Sequence, residues 1–347
     1  MKNFKKYSAL FLSAFTASTL LFGGCSDEQD DKKDADLSKT FLTVGDEEIS
    51  LEVGRFYALN QQASYEAYYL ANGYSIDWNS TSSETNGKTL QEAVKDDVLE
   101  QIKIFYTIAQ YAKENGITLD DSDYEDIDKL IEEYFSSSEN GLDNLINATN
   151  ITKDFLKKVY EVEAYYNKGC DYILKDETFD PQSDDIRVAD LYAIEITEDT
   201  HDFPEDTAKA IVERINNGEK PEDVAKIYGL QAIEGNLAKG DFNGDPFEVL
   251  GLSLQAGECN YVNVDGESVV IYCVSPYDEE ASQDNLNYIK TQKIKAFYDE
   301  YSKNVNYKLD EDLWATINYN TSIFTEDDLN KIISDQISTI ETTSQDQ

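Results

Sequence analysis

Cys25 is the residue whose surroundings most clearly predict a chemical modification. It follows Gly23 and Gly24 and ends a segment that starts with basic residues and continues as an apolar run over 7–22. A basic start, a short apolar core and small residues before a cysteine are typical of an export signal cleaved at a lipid attachment site. The apolar run is shorter than the roughly 20 residues that a membrane-spanning helix needs. We therefore expect the Cys25 thiol to carry a lipid, with an uncleaved anchor helix as the alternative.

Histidine, the side chain most often used in acid–base catalysis, is scarce. The chain has one histidine, His201, within the polar stretch 199–204. A Ser-His-acid triad would have to use it, and a zinc site built from several histidines is excluded. Its polar surroundings predict a solvated loop histidine.

Three cysteines follow Cys25, namely Cys170, Cys259 and Cys273, and none forms a C-x-x-C pair. Neither zinc binding nor thioredoxin-like chemistry is therefore indicated. Cys259 and Cys273 flank a predicted hairpin that turns at 265–266, so a disulfide is one alternative in an oxidising compartment. A two-residue turn would place them one residue out of register, and we expect buried free thiols.

A short acidic stretch has part of the spacing of a metal site. Asp241, Asn243 and Asp245 are spaced like the start of a calcium-binding loop. Pro246, however, stands where such a loop needs glycine, and Leu252 stands where it needs a bidentate glutamate. The stretch therefore predicts an ordinary turn, and we expect neither a metal nor a cofactor.

The composition is strongly acidic, with 70 Asp and Glu residues against 29 Lys and Arg and a formal net charge of -41. Such a surface repels phosphate backbones and argues against nucleic-acid binding. It favours solubility beside a membrane and contact with basic partners. The 24 tyrosines and 15 phenylalanines supply enough apolar surface for packed cores.

The elements that must position these residues follow from hydrophobic periodicity. An apolar stripe from Leu90 to Ala112 steps by three or four residues and ends before Asn115 and Gly116, which predicts an amphipathic helix. From residue 186 the pattern predicts a strand, two helices, glycine-rich turns over 229–257 and a hairpin. The expected organisation is a signal peptide over 1–24, a flexible acidic tether over 25–40, a helical domain over 41–178, a β-α-α-β-β module over 184–278, a C-terminal helix over 283–325 that packs on the helical domain, and a polar tail over 326–347.

Three segments of the central module, over 186–194, 208–226 and 254–258, resemble parvulin-type peptidyl-prolyl isomerases. The flanking helical regions and the lipid signal resemble extracytoplasmic foldase lipoproteins of the PrsA kind, with an N-terminal region similar to SurA. The resemblance implies an α+β fold, in which a mostly helical chaperone-like domain accompanies the parvulin-like module. It also implies a lipid-anchored location on the extracytoplasmic face of the cell membrane.

The resemblance also assigns pocket positions. The two histidines of the family fall on Asp190 and Val270, and its methionine and two phenylalanines fall on Asn243, Phe247 and Leu252. Prolyl isomerisation requires loss of amide resonance rather than a nucleophile or proton transfer, so an apolar pocket could support a slow reaction. With both histidines absent, the sequence leaves open whether the module is an enzyme, and a binding-only module is the favoured interpretation.

These patterns predict a membrane-anchored protein-folding factor that binds unfolded, newly secreted polypeptides. The alternative is a non-catalytic accessory lipoprotein that scaffolds one dedicated exported partner. The sequence does not determine the oligomeric state.

Overall fold

The computed structural model describes residues 36–82, 85–136, 151–264 and 267–324, which have an α+β fold. The predicted signal over 1–24, Cys25, residues 25–35 of the predicted tether and the tail over 326–347 lie outside the described residues. In chain order the elements are β1 (Thr40–Val44), β2 (Glu47–Ser50), α1 (Leu51–Ala71), α2 (Leu90–Glu114), α3 (Asp121–Ser136), α4 (Lys153–Ile173), β3 (Val188–Ile196), α5 (Pro204–Asn216), α6 (Pro221–Ile227), β4 (Ile233–Ala238), α7 (Pro246–Ser253), β5 (Cys259–Val264), β6 (Glu267–Ser275), α8 (Glu279–Tyr301), β7 (Tyr307–Leu309) and α9 (Glu311–Trp314).

The chain divides into two compact units. Of the described residues, unit 1 comprises those up to Lys175 together with those from Ile294 onward, and unit 2 comprises those within Asp176–Lys293. Among the described helices of both units, none is long and apolar enough to cross a membrane.

Helix α2 forms the centre of unit 1. It begins at a capping box in which the Thr89 side chain accepts from the Glu92 N–H and the Glu92 carboxylate accepts from the Thr89 N–H. Its apolar stripe is buried, as the periodicity predicted. The helix crosses α4 closely at Gly169, where a Cβ would lie 2.7 Å from Ile108 Cγ2 and 2.9 Å from Ile108 O. Only a residue without a side chain allows this approach.

The sheet of unit 1 joins distant parts of the sequence. Its strand order is β2-β1-β7, with both neighbours antiparallel to β1. After β7 the Trp314 ring stacks on Phe41, with 5.1 Å between the centroids. Residues 317–324, which we call the C-terminal strap, then reach α1, where Ile323 and Phe324 are buried with Leu59.

A buried carboxylate holds the C-terminal strap in place. Glu66 is 1% exposed, and it accepts hydrogen bonds from Ser322 Oγ at 2.8 Å and the Ile323 N–H at 2.8 Å. Gln62 Nε2 donates to the other carboxylate oxygen at 2.7 Å and Trp78 Nε1 at 3.3 Å. Each oxygen of a group that is costly to bury is therefore satisfied.

The structure corrects two expectations from the sequence, both about where helices and strands lie. The helix expected over 283–325 ends at Tyr301, and the residues after it form β7, α9 and the C-terminal strap. The stretch 229–257, expected to hold only turns, contains β4 and α7. The module of unit 2 is therefore β-α-α-β-α-β-β.

Candidate functional site

Unit 2 is built on a four-stranded antiparallel sheet of order β4-β3-β6-β5 with a different cover on each face. Helices α5 and α6 cover one face, whose cluster includes Ile194, Ile211, Val224 and Val270. On the other face, Phe247, Leu250 and Leu252 of α7 pack against the strand residues Leu191, Leu237 and Ile271. Because side chains alternate along a strand, neighbouring positions on β6 belong to opposite clusters.

Helix α7 rests directly on the sheet at Gly251. A Cβ at this position would lie 2.6 Å from Leu237 Cδ2 and 3.0 Å from Leu191 Cδ1. Since ordinary contacts between carbon atoms are about 3.5–4.0 Å, the glycine allows the helix to approach until no space remains there. The apolar surface between the middle of α7 and the sheet is therefore filled by the protein itself.

The loop before α7 is held by one carboxylate. Glu248 is 4% exposed and accepts hydrogen bonds from the N–H groups of Gly240 at 2.9 Å, Phe242 at 2.9 Å and Gly244 at 3.1 Å. These bonds, that of Gly240 first, lower the pKa of Glu248. Within the loop Asn243 has a φ of 55°, a left-handed conformation that asparagine tolerates better than most residues.

The same loop displays an aromatic side chain to solvent. Phe242 is 50% exposed and meets Phe247 edge to face, with 5.1 Å between the ring centroids and an interplanar angle of 72°. We call this pair the aromatic platform. Phe247 also packs in the apolar cluster of α7, so the platform continues the core out to the surface.

The structure brings some of the five predicted pocket positions together and separates others. Asn243, Phe247 and Leu252 lie on the loop and helix of the α7 side. Val270 is buried in the cluster under α5 and α6, on the opposite face. Asp190 lies on β3 four residues before Ile194, which belongs to the cluster of Val270, and its side chain therefore shares the face of Val270.

Asp190 belongs to an acidic group at the side of the sheet. Burial raises its pKa, and the neighbouring carboxylates of Glu234 and Asp278 add to the shift. Tyr192 OH donates to Glu234 Oε2 at 3.1 Å. Burial, with contributions from Glu234 and Glu222, raises the pKa of Tyr192 to about 12. No ion pair joins these carboxylates to a cation within the described part of the chain.

The stretch 241–245, whose spacing resembles the start of a calcium-binding loop, uses its side-chain oxygens for hydrogen bonds within the loop and α7. Asp241 Oδ2 accepts from the Ala238 N–H at 2.8 Å, and Asp245 Oδ1 accepts from the Glu248 N–H at 2.9 Å. Together with Glu248, they stabilise the loop. Among the described residues no group of three or more acidic, histidine or cysteine side chains is arranged to hold a metal ion.

The cysteines of unit 2 are free thiols. Cys259 pairs across the hairpin with Tyr272, one residue away from Cys273. The two thiols therefore point to opposite faces of the sheet, Cys259 towards α5 and Cys273 towards α7. Burial raises the pKa of Cys259 to about 12 and that of Cys273 to about 11. Free thiols, the expected state, are confirmed here.

His201 lies in the loop between β3 and α5, where its ring is 6.4 Å from that of Tyr228. The aromatic platform itself was missed by sequence reasoning, which singled out Phe247 but not Phe242. The signal that could have indicated an ordered loop around Phe242 was the acidic residue Glu248, which follows a turn of glycine and asparagine.

Comparisons with known proteins gave matches only among solved structures. No protein-family model matches the chain, and no curated protein matches it. Its structural neighbours are PrsA and SurA-like chaperones. A peptidylprolyl isomerase, PrsA of Bacillus cereus, is 16% identical, with 75% of this chain and 98% of that chain covered and a TM-score of 0.31.

Two other neighbours are of the same kinds. The match described as SurA-like chaperones of Campylobacter jejuni is 14% identical, covers 78% of this chain and 98% of that chain, and has a TM-score of 0.27. PrsA of Bacillus subtilis is 18% identical, covers 66% of this chain and 94% of that chain, and has a TM-score of 0.22.

Proposed function

We propose that the chain is a protein-folding factor that binds unfolded, newly secreted polypeptides, held on the extracytoplasmic face of the membrane by a lipid on Cys25. The anchor rests on the sequence around Cys25. The binding activity rests on unit 2.

The aromatic platform is the observation that carries the proposal. An exposed phenylalanine on a mobile loop would be unremarkable, but Glu248 fixes the loop of Phe242 with three backbone hydrogen bonds. The ring is thus pre-ordered while half of its surface stays in water. A fixed aromatic surface loses little conformational entropy on binding, so it suits apolar segments of non-native chains.

The charge of the chain supports the same role. A formal net charge of -41 keeps a complex with an aggregation-prone client soluble, because like-charged complexes repel one another. Its field also attracts basic segments of a client. Exposed apolar side chains set in an acidic surface therefore combine capture with solubility.

Binding without efficient isomerisation is the activity that the pocket positions favour. Asp190 and Val270 lie on the sheet face opposite to Phe247, and Gly251 lets α7 close onto the sheet. A pocket that stabilises a twisted prolyl amide would need apolar walls on both sides of the proline ring. Phe242 and Phe247 instead form an open surface.

An aggregation assay tests the proposal. The full chain, at equimolar dose, should suppress light scattering by a chemically unfolded client. Full contact with the exposed half of Phe242 buries about 100 Å², worth about 2 kcal/mol or roughly thirty-fold in affinity. Phe242→Ala should therefore raise the dose for half-suppression at least about ten-fold.

Phe203→Ala is the matched control, because Phe203 is 70% exposed but lies at the start of α5. Equal losses in both variants would contradict the role of the aromatic platform, and no suppression by the wild-type chain would refute client binding. Capture of one stoichiometric partner instead of many clients would favour the accessory lipoprotein.

A proline-peptide assay tests for isomerase activity. We expect the rate of cis-trans isomerisation of the peptide to equal that in buffer. Acceleration that Phe247→Ala abolishes would establish an isomerase.

A further inference from the structure

The outer edge of β4 is a second surface of unit 2 that has no partner among the described strands. In the sheet order β4-β3-β6-β5, β4 pairs with β3 on one side only, in continuous register from Ile233↔Ala193 to Ala238↔Val188. In an antiparallel edge strand, alternate residues direct their N–H and C=O groups away from the neighbouring strand. Over Ile233–Leu237, which we call the β4 edge, no side chain of the described residues bonds to these groups.

The β4 edge has only one of the features by which proteins usually protect such edges, the charged side chain of Glu234. Its sequence contains neither lysine nor proline, and its pairing with β3 has no bulge. Residues 233–236 are exposed, and Ile233 is 63% exposed. The edge ends at Ala238, whose N–H donates to Asp241 Oδ2.

The other edge of the same sheet differs. On β5 the Cys259 carbonyl accepts from Asn216 Nδ2 at 3.3 Å, and the Tyr261 N–H donates to Asn260 Oδ1 at 2.9 Å. Side chains of unit 2 thus occupy backbone groups of β5, whereas those of the β4 edge remain available. The two edges provide an internal comparison.

Side chains beside the β4 edge indicate which peptide fits. On one face, Glu234 neighbours Asp190, and Tyr192 OH, which bonds to Glu234, also lies near Glu222. No cation among the described residues pairs with this acidic group. On the other face, Gly235 leaves open space, since a Cβ built there meets no atom within 4 Å. A strand added here would place alternate side chains beside the carboxylates and beside the space over Gly235.

We infer that the β4 edge binds an extended segment of an unfolded polypeptide by strand addition, and that it prefers segments in which basic and apolar residues alternate. This inference rests on the proposed function and names a mode of client binding. The backbone of the client supplies the hydrogen bonds, which makes the site tolerant of sequence. The acidic group supplies the preference for lysine or arginine at alternate positions.

Amide hydrogen exchange on the full chain tests this inference. The probe is a seven-residue peptide of alternating valine and lysine with blocked ends. The Ala238 N–H, which donates to Asp241, points away from β3, so by alternation those of Glu234 and Asn236 do as well. At saturation these two amides should exchange at least about ten-fold more slowly, because pairing removes them from water, while those of β5 should not change. A fully N-methylated peptide, which has no N–H donors, should bind at least about ten-fold more weakly.

Charge reversal supplies the second arm. Glu234→Lys should weaken the lysine peptide at least about ten-fold and strengthen its glutamate counterpart. Glu195→Lys is the matched control, because Glu195 is an exposed residue of β3 that pairs with Val269, away from the β4 edge. Equal binding of methylated and unmethylated peptides, protection of β5 instead of β4, or equal effects of both variants would each overturn the inference.

Failure here is distinguishable from failure of the proposed function. A chain that suppresses aggregation but shows no protection at 233–237 refutes strand addition and leaves client binding intact. A chain that protects 233–237 with the peptide but suppresses no aggregation supports the β4 edge and refutes the folding-factor role.

Discussion

Replacing Glu163 with glutamine should change how the stability of unit 1 depends on pH. Glu163 lies on α4 within a group of tyrosines, and Tyr57 OH donates to its Oε1 at 2.9 Å. Burial raises the pKa of Glu163 to about 7, and the bond from Tyr57 opposes the shift only in part. The surrounding groups are Tyr106 of α2 and Tyr160 of α4, with Glu133 of α3 and Glu47 of β2 further out. None is a cation.

The direction of the effect follows from proton binding. Between 4.5, the ordinary pKa of glutamate, and about 7, the folded chain keeps the proton that the unfolded chain releases. The contribution to stability is therefore complete below about pH 4.5 and is lost as the pH rises through about 7. At 1.36 kcal/mol per pH unit this amounts to about 3 kcal/mol. For a unit of this size, that corresponds to roughly 6–12 °C in melting temperature.

The assay compares melting temperatures of the wild-type chain, Glu163→Gln and Glu125→Gln at pH 5 and pH 8. Glutamine has no proton to lose, so Glu163→Gln should match wild type at pH 5 and melt several degrees higher at pH 8. Glu125 is exposed on α3, and its variant removes one carboxylate without changing the buried site. It should follow the wild type at both pH values. Identical pH slopes for wild type and Glu163→Gln would refute the assignment.

Three further substitutions test packing and loop structure. Gly251→Ala should lower the free energy of unfolding by roughly 1–3 kcal/mol, because its Cβ would lie 2.6 Å from Leu237 Cδ2; an unchanged denaturant midpoint would contradict this packing. Glu66→Gln should speed limited proteolysis within the C-terminal strap, since an amide nitrogen would replace an acceptor; equal cleavage rates would show that other contacts hold it. Glu248→Gln should speed amide exchange over 240–244. Because the pKa of Glu248 is lowered, the slow amide exchange of the wild-type loop should persist as the pH falls below 4.5. Fast exchange already above about pH 5 would contradict the role of the Glu248 carboxylate in holding the loop.

Helix α2 was predictable because its signals are local. The capping pair Thr89 and Glu92, the apolar stripe and the Asn115-Gly116 end all lie within one segment, and the structure confirms the helix over Leu90–Glu114. The α+β class, which the resemblance implied, is confirmed as well.

Strand β4 was missed because its sequence is a poor strand signal. Glycine and asparagine, the residue types at 235 and 236, are depleted in strands, and the apolar alternation extends only from Ile233 to Leu237. Pairing with β3 decides its conformation, and no local pattern reports that pairing. The end of α8 at Tyr301 was missed for a similar reason, since β7 forms by pairing with β1.

The assignment of pocket positions depended on spacing, which does not determine the face of a strand. Val270 lies under α5 and α6, while its neighbour Val269 packs on the side of α7. A shift of one residue therefore exchanges the two faces. A register shift in β6 also changes which residues stand opposite each other, because Asp190 pairs with Ser275 and Leu191 with Cys273. Spacing along the sequence does not report this shift. The aromatic platform needed the loop geometry, which three backbone hydrogen bonds to Glu248 define.

The pairing of β1 with β7 has a consequence for the order in which the chain itself folds. Residues 40–44 need residues 307–309 as neighbours, whereas unit 2 consists of one continuous segment, Asp176–Lys293. In a chain that emerges from its N-terminus, unit 2 has all its residues available while the sheet of unit 1 still lacks a strand. The long sequence separation also slows closure of that sheet. Until residues 307–324 have emerged, the apolar side chains that they cover, among them Phe41 and Leu59, therefore stay exposed to water. For that interval the newly made chain is a substrate of the kind it is proposed to protect.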